Sequence, residues 1–185
     1  MSETPSAMIE LGTKAPNFKL PDTISGNQIS LDEIKSDKAT VIMFICNHCP
    51  YVVHIIQELS KVAAEYKQKG VSFVAISSND VANYPQDSPD KMKEFAEKLN
   101  FTFPYLYDET QEIAKAYNAE CSPDIFVYDG DLKLVYRGQF DDSRPSKSIP
   151  VTGKDLRAAL DNILTGKPVN ENQIPSVGCN IKWKR

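Results

Sequence analysis

Val41-Ile42-Met43-Phe44-Ile45-Cys46-Asn47-His48-Cys49-Pro50-Tyr51-Val52 runs an unbroken apolar stretch straight into a close pair of cysteines. Residues 41–45 carry no polar side chain at either alternate position. Such a run suits a strand covered on both faces, as in a parallel sheet. From about residue 50 to 69, Tyr51, Val52, Ile55, Ile56, Leu59, Val62, Ala63 and Tyr66 recur at spacings of three and four. That period predicts a helix with one buried face. Pro50 suits the first turn, where a missing N–H costs nothing, and Gly70 suits the stop. Residues 71–76 form a second apolar run. Strand, helix and strand in this order predict a right-handed βαβ unit, with the cysteines at the passage from strand into helix.

Outward from this unit the pattern continues on both sides. Residues 1–15 show no period and are expected to be loosely ordered. Phe18-Lys19-Leu20 and Ile29-Ser30-Leu31 predict a short N-terminal hairpin around Pro-Asp and Gly-Asn turn residues. Residues 80–87 form a turn-rich insertion. Residues 89–99 predict a helix with Met92, Phe95, Ala96 and Leu99 inward; residues 105–107 a strand; residues 111–117 a short helix. Residues 125–128 and 132–136 flank Asp129-Gly130, a strong hairpin signal. Residues 153–165 predict a last helix with Leu156, Ala159, Leu160 and Ile163 inward, and residues 166–185 have no clear period. The expectation is one α/β domain over residues 1–185, with its core at about 11–165, a tail at 166–185 and helices on both faces of a mixed sheet.

The chain has 185 residues, 41% hydrophobic and 25% charged, with a formal net charge of -4. That is an ordinary soluble composition. Without a long basic run it offers nothing to nucleic acid or an anionic membrane, and Lys182-Trp183-Lys184-Arg185 is too short to change this. No stretch reaches the roughly 18 apolar residues of a membrane span. The polar first 16 residues lack the apolar core of a secretory signal, so a cytoplasmic or similarly reducing location is expected. Four cysteines are too few for a disulfide scaffold. In a reducing compartment a close pair points to redox chemistry or metal.

Cys46 and Cys49 are placed where thiol chemistry is easiest. Free N–H groups and the dipole at a helix start favour negative charge, so a thiolate there ionises below the ordinary cysteine value. Two intervening residues let the sulfurs meet across one turn and form a reversible disulfide. His48, as a cation, would stabilise a nearby thiolate further and make the pair more oxidising. A tetrahedral zinc site wants four ligands, commonly two close pairs. Only Cys46 and Cys49 form such a pair, while Cys121 and Cys179 stand alone, so no metal is expected. No Gly-rich dinucleotide fingerprint is present, so no organic cofactor is expected either.

The run Cys46-Asn47-His48-Cys49-Pro50-Tyr51-Val52 resembles the active-site motif of a peroxiredoxin-like branch of the thioredoxin superfamily, grouped with the alkyl hydroperoxide reductase and thiol-specific antioxidant proteins. The resemblance extends through Asp108-Glu109-Thr110-Gln111, Ala116-Tyr117-Asn118-Ala119 and Cys121-Ser122-Pro123-Asp124. It continues in Tyr136-Arg137-Gly138-Gln139-Phe140-Asp141-Asp142 and Gly178-Cys179-Asn180-Ile181-Lys182-Trp183. It implies a thioredoxin fold with an N-terminal β-hairpin extension, and it makes Pro123 a cis-proline facing the dithiol. It also implies that the backbone edge at Pro123 takes an extended partner by strand addition.

Two features depart from true peroxiredoxins, which place Thr three residues before the peroxide-reducing Cys and an Arg just before a later strand. With Cys49 in that role, Cys46 stands where the Thr belongs, and the segment before Ile125 has no Arg. These departures favour thiol–disulfide exchange over peroxide reduction. Thioredoxin-like logic makes Cys46 the exposed attacking thiolate and Cys49 the resolving one; peroxiredoxin-like logic makes Cys49 the attacker. The expected substrates are protein or small-molecule disulfides, with thioredoxin or glutathione as the thiol reductant. The rival readings are a thiol-dependent antioxidant peroxidase and a non-catalytic peptide-binding module.

Cys121 is either a third redox thiol or a small residue filling a loop. Cys179 is either a resolving thiol folded back from the tail or an idle cysteine. His54 is read as an edge residue. Asp108, Asp124, Asp141 and Asp142 are candidates for a carboxylate that shuttles a proton to the buried cysteine.

Overall fold

The computed structural model describes residues 3–185. In chain order these form β1 (Glu3–Pro5), β2 (Lys19–Pro21), β3 (Gln28–Ser30), α1 (Leu31–Ile34), β4 (Ala39–Phe44), α2 (Pro50–Lys67), β5 (Val71–Ser77), a 3-10 turn (Pro85–Asp87) and α3 (Pro89–Lys98). They continue with β6 (Tyr105–Tyr107), α4 (Glu112–Ala116), β7 (Cys121–Ser122), β8 (Asp124–Asp129), β9 (Leu134–Arg137), α5 (Lys154–Leu164) and β10 (Val177–Asn180).

Every residue of β4 is buried. It is the middle strand of a five-stranded sheet ordered β6-β5-β4-β8-β9. It runs parallel to β5 and antiparallel to β8, so the sheet is mixed. Alternate side chains of a strand point to opposite faces. Val41, Met43 and Ile45 accordingly meet Val52, Ile56, Leu59 and Ala63 of α2, Met92 and Ala96 of α3, and Leu156 and Leu160 of α5. Ile42 and Phe44 face the other way, into a second cluster with Leu31, Ala114, Tyr117, Phe126 and Tyr128. Each fully buried aliphatic or aromatic side chain of this kind contributes about 1.5–3 kcal/mol. No helix among the described residues is long and apolar enough to cross a membrane.

Two expectations about the chain ends are corrected. The first 15 residues are not loosely ordered over the described stretch. Glu3–Pro5 forms a strand, the Gly12 N–H donates to Leu134 O at 2.7 Å and the Ala15 N–H donates to Leu132 O at 2.9 Å. The tail also forms a strand, and β1, β10 and β7 make a separate three-stranded sheet in that order. Strands of two to four residues are too short to show a two-residue period, and their pairing is set by backbone bonds to distant segments. A third, smaller correction concerns Leu132. It takes a left-handed conformation (φ 59°) inside the Asp129-Gly130 turn, and β9 starts only at Leu134.

Candidate active site

β4 ends at Phe44, and the Ile45 N–H still bonds Ile76 O at 3.0 Å, so the chain leaves the sheet only at Cys46. Cys49 is the N-cap of α2 and Pro50 occupies the first turn. Asn47 ties the intervening loop down: its N–H donates to Asp87 Oδ1 (2.9 Å) and its Nδ2 donates to Gln86 O (3.0 Å). Its Oδ1 accepts the buried Tyr105 hydroxyl at 2.9 Å. Both sulfurs are covered, with Cys46 2% and Cys49 0% exposed. An exposed Cys46 was expected. It is buried because Ser122 and the clamped loop close over it, with 3.6 Å between Cys46 Sγ and Ser122 Oγ.

The negative charge of the reduced pair rests on Cys49. The Cys46 S–H bond lowers the Cys49 thiol to about 5 against the effect of burial. Hydrogen bonding from the Cys179 side chain and from the N–H groups of Val52 and Cys179 adds to the effect. Cys46 is pushed well up, first by its hydrogen bond to Cys49, then by burial and by the charge of Asp87; only the Ser122 hydroxyl opposes this. Ser122 also accommodates the other placement of the shared proton. Its carbonyl lies 3.2 Å from Cys49 Sγ and accepts the thiol proton, while its hydroxyl donates to a Cys46 thiolate.

His48 pairs with a carboxylate beside the Cys46 sulfur. Its Nδ1 lies 2.5 Å from Asp87 Oδ2, and its ring stacks on Tyr84 with centroids 5.7 Å apart. Asp87 is fully buried and also accepts from Asn79 Nδ2 at 3.0 Å. It is the carboxylate nearest the pair, since Cys46 Sγ, a His48 ring nitrogen and an Asp87 oxygen all lie within 4.8 Å of one another. These three are the one cluster of metal-binding type among the described residues. One donor from each falls short of the four ligands of a closed zinc site.

The four carboxylates proposed from sequence sit elsewhere. Asp108 accepts from Ser78 Oγ and the Ala114 N–H. Asp124 pairs with Arg137 at 3.0 Å, both fully buried, and Asp141 accepts the N–H groups of Ser143, Thr152 and Gly153. Asp142 pairs with Lys154. His54 bonds Ser143 Oγ at 2.7 Å. Asp87 and Ser122 escaped sequence reasoning. Asp87 lies between two prolines in what reads as a turn, and Ser122 reads only as a neighbour of Pro123.

The Ser122–Pro123 peptide bond is cis, and Ser122 faces the sulfurs of both Cys46 and Cys49. Its strand edge is not open to an extended partner as expected, because β10 occupies it, with Cys179 opposite Ser122 and Asn180 opposite Cys121. Cys179 thereby reaches Cys49, and burial followed by its bond to Cys49 pushes its thiol up to about 12. Cys121 turns away. Its Sγ lies 3.7 Å from Pro123 O and 3.9 Å from Ser176 O, and burial pushes its thiol far up.

Residues 11–137 match the model of the AhpC/TSA family. The thiol-disulfide oxidoreductase ResA of Geobacillus kaustophilus is 28% identical over 140 residues, covering 73% of this chain and 74% of that protein. Peroxiredoxin Bcp of Escherichia coli K12 is 28% identical over 109 residues, covering 59% of this chain and 64% of that protein. A crystal structure of an uncharacterized conserved protein from Geobacillus kaustophilus superposes with a TM-score of 0.98 at 60% identity, covering 100% of this chain and 97% of that one. The fold is thioredoxin-like, a mixed central sheet flanked by helices.

Proposed function

The chain belongs to the AhpC/TSA family, and from that premise we propose that it is an oxidoreductase working by thiol–disulfide exchange at Cys46 and Cys49. The observation that carries this reading is the shared-proton pair of sulfurs at the start of α2, with Ser122 serving both positions of the proton. Cys46 lies on the side of the partly exposed Asn47-His48 loop, whereas Cys49 is enclosed by Ser122 and β10. Both sulfurs are covered at rest, and with that loop displaced a substrate disulfide meets Cys46 first. The Cys46 proton passes to Cys49, whose thiol then bonds the Ser122 carbonyl, and the Cys46 thiolate attacks. One substrate half leaves as a thiolate and a mixed disulfide remains; the Cys49 proton goes with the second half. Cys49 then attacks Cys46 Sγ, releases the second half and leaves a Cys46–Cys49 disulfide. A thiol donor such as thioredoxin or glutathione reverses the sequence, in a reducing compartment such as the cytoplasm.

A Cys49→Ser variant incubated with a chromogenic aromatic disulfide tests this. The expected result is a stable mixed disulfide on Cys46; label on no cysteine would overturn it.

Peroxide reduction is the second reading, favoured by the anionic Cys49 with a thiol on either side to condense with a sulfenic acid. Against it stands Arg137, whose guanidinium is held by Asp124 and the Asn118 carbonyl (2.7 Å). Peroxide consumption that survives Cys46→Ser but not Cys49→Ser would select this reading.

A further inference from the structure

β10 lies against the site as an added strand would. Gly178 makes the fit possible: a Cβ there would stand 1.9 Å from Ser122 O and 3.2 Å from Pro123 Cδ. The strand is fastened on its other edge by β1, with Thr4 opposite Gly178. Upstream, the Ser6 N–H donates to Ser176 O at 2.8 Å and Ser176 Oγ donates to Pro123 O at 2.5 Å. Downstream, the Asp80 N–H donates to Lys182 O at 2.8 Å, Gln111 Nε2 donates to the same oxygen at 2.9 Å, and the Lys182 N–H donates to Asn79 Oδ1 at 2.9 Å. Strand addition at a sheet edge normally brings in a partner chain, with main-chain bonds for affinity and alternate side chains for specificity. Here the chain fills that edge itself. The side chain presented on this face is a thiol: Cys179 stands opposite Ser122, whose carbonyl lies 3.2 Å from Cys49 Sγ, and hydrogen bonding from Cys179 helps hold Cys49 below the ordinary thiol value.

We propose that Cys179 is a third redox thiol, which takes the disulfide over from Cys46–Cys49 to give Cys49–Cys179. The inference rests on the dithiol-exchange reading above. In the step, Cys179 gives up its proton and its sulfur attacks Cys49 Sγ. The Cys49–Cys179 bond forms as the Cys46–Cys49 bond breaks. Cys46 departs with the bonding pair and takes up the proton, with the Ser122 hydroxyl donating to it meanwhile. One disulfide is exchanged for another, so no oxidant or reductant is consumed. Two sulfurs thus compete for one, and the fastened strand holds Cys179 at a high effective concentration. The consequence is a site that moves its oxidation inward, beneath β10, and leaves Cys46 a thiol.

The test uses the full chain oxidised with glutathione disulfide, acid-quenched and mapped by non-reducing peptide analysis. In Cys46→Ser the expected product is an intramolecular Cys49–Cys179 disulfide. In Cys46→Ser/Cys179→Ser it is a glutathione adduct on Cys49. In the otherwise unaltered chain, Gly178→Ala lowers the share of Cys49–Cys179 relative to Cys46–Cys49 by about tenfold, by lifting β10 off Ser122. A Cys46→Ser protein that carries only glutathione on Cys49, with Cys179 free, overturns the inference. So does a Gly178→Ala protein with an unchanged ratio. Failure of the underlying reading looks different, because the unaltered chain then forms no Cys46–Cys49 disulfide at all.

Discussion

Cys121 and Ser122 are neighbours on one two-residue strand, and they look in opposite directions. On the Ser122 side lie Cys46, Cys49 and Cys179, one of them anionic. On the Cys121 side a protonated thiol faces two carbonyls, and just beyond it the buried Asp124–Arg137 pair is fastened by Ser6 Oγ, the Glu120 N–H and the Asn118 carbonyl. The arginine also packs 4.3 Å from the centre of the Phe126 ring. Both Cys121 and Cys179 are single, buried cysteines with raised thiols. Strand alternation alone sends one toward two carbonyls and the other toward the sulfur pair. The lesson is that burial does not distinguish the two cysteines; the face of the strand does.

The contrast is sharpest in activity. Removing either sulfur of the pair by Cys46→Ser or Cys49→Ser is expected to lower disulfide-reductase turnover by roughly a thousandfold or more. Cys121→Ser stays within about twofold in the same assay, because a hydroxyl still reaches the carbonyls that the thiol faced. Next comes stability. Arg137→Met strands a buried carboxylate and costs about 3–5 kcal/mol in denaturant unfolding. The redox potential of the folded variant stays where it was, since the bonds of the Arg137 side chain go to Asp124 and the Asn118 carbonyl. A shifted potential would join the two faces that the strand separates.

The pH dependence of stability reads the same division. The Cys49 thiol is lowered to about 5 in the folded chain, so its share of stability grows as pH rises from about 5 to the ordinary thiol value of about 8.5, and is lost as pH falls through 5. Cys46, Cys121 and Cys179 are all raised, so they oppose folding only above about 8.5. Unfolding of the reduced protein followed between pH 5 and 8 is expected to lose its thiol-linked slope in Cys49→Ser and to keep it in Cys121→Ser. The smallest effect belongs to His48. Its contact is with Asp87, so His48→Leu leaves that carboxylate unbalanced beside Cys46. The potential of the pair then falls by about 30 mV, a tenfold change in the exchange constant. An unchanged potential would remove His48 from the redox chemistry.

Much of the fold is legible in the sequence wherever a period is long enough to be seen. The buried run of β4, the 18-residue amphipathic α2 and the Asp129-Gly130 hairpin all announce themselves, and Cys46 and Cys49 stand at the predicted passage from strand to helix. What stays hidden depends on contacts between distant short segments. β1, β7 and β10 have too few residues for alternation to register, and Gly178 reveals its purpose only beside the Ser122 carbonyl. Asp87 is hidden for the same reason: the turn that carries it folds back 40 residues to the Asn47 N–H. Four other aspartates had equal claim on paper, and each serves a turn, a helix start or an ion pair.

The most direct measurement is the state of all four thiols across a series of glutathione redox buffers, mapped by peptide, with a sulfenate trap in a parallel peroxide-treated sample. Thiol–disulfide exchange predicts a reversible Cys46–Cys49 disulfide, little trapped sulfenate and Cys121 reduced at every potential. A sulfenate captured on Cys49, with no Cys46–Cys49 disulfide at any buffer ratio, would contradict it.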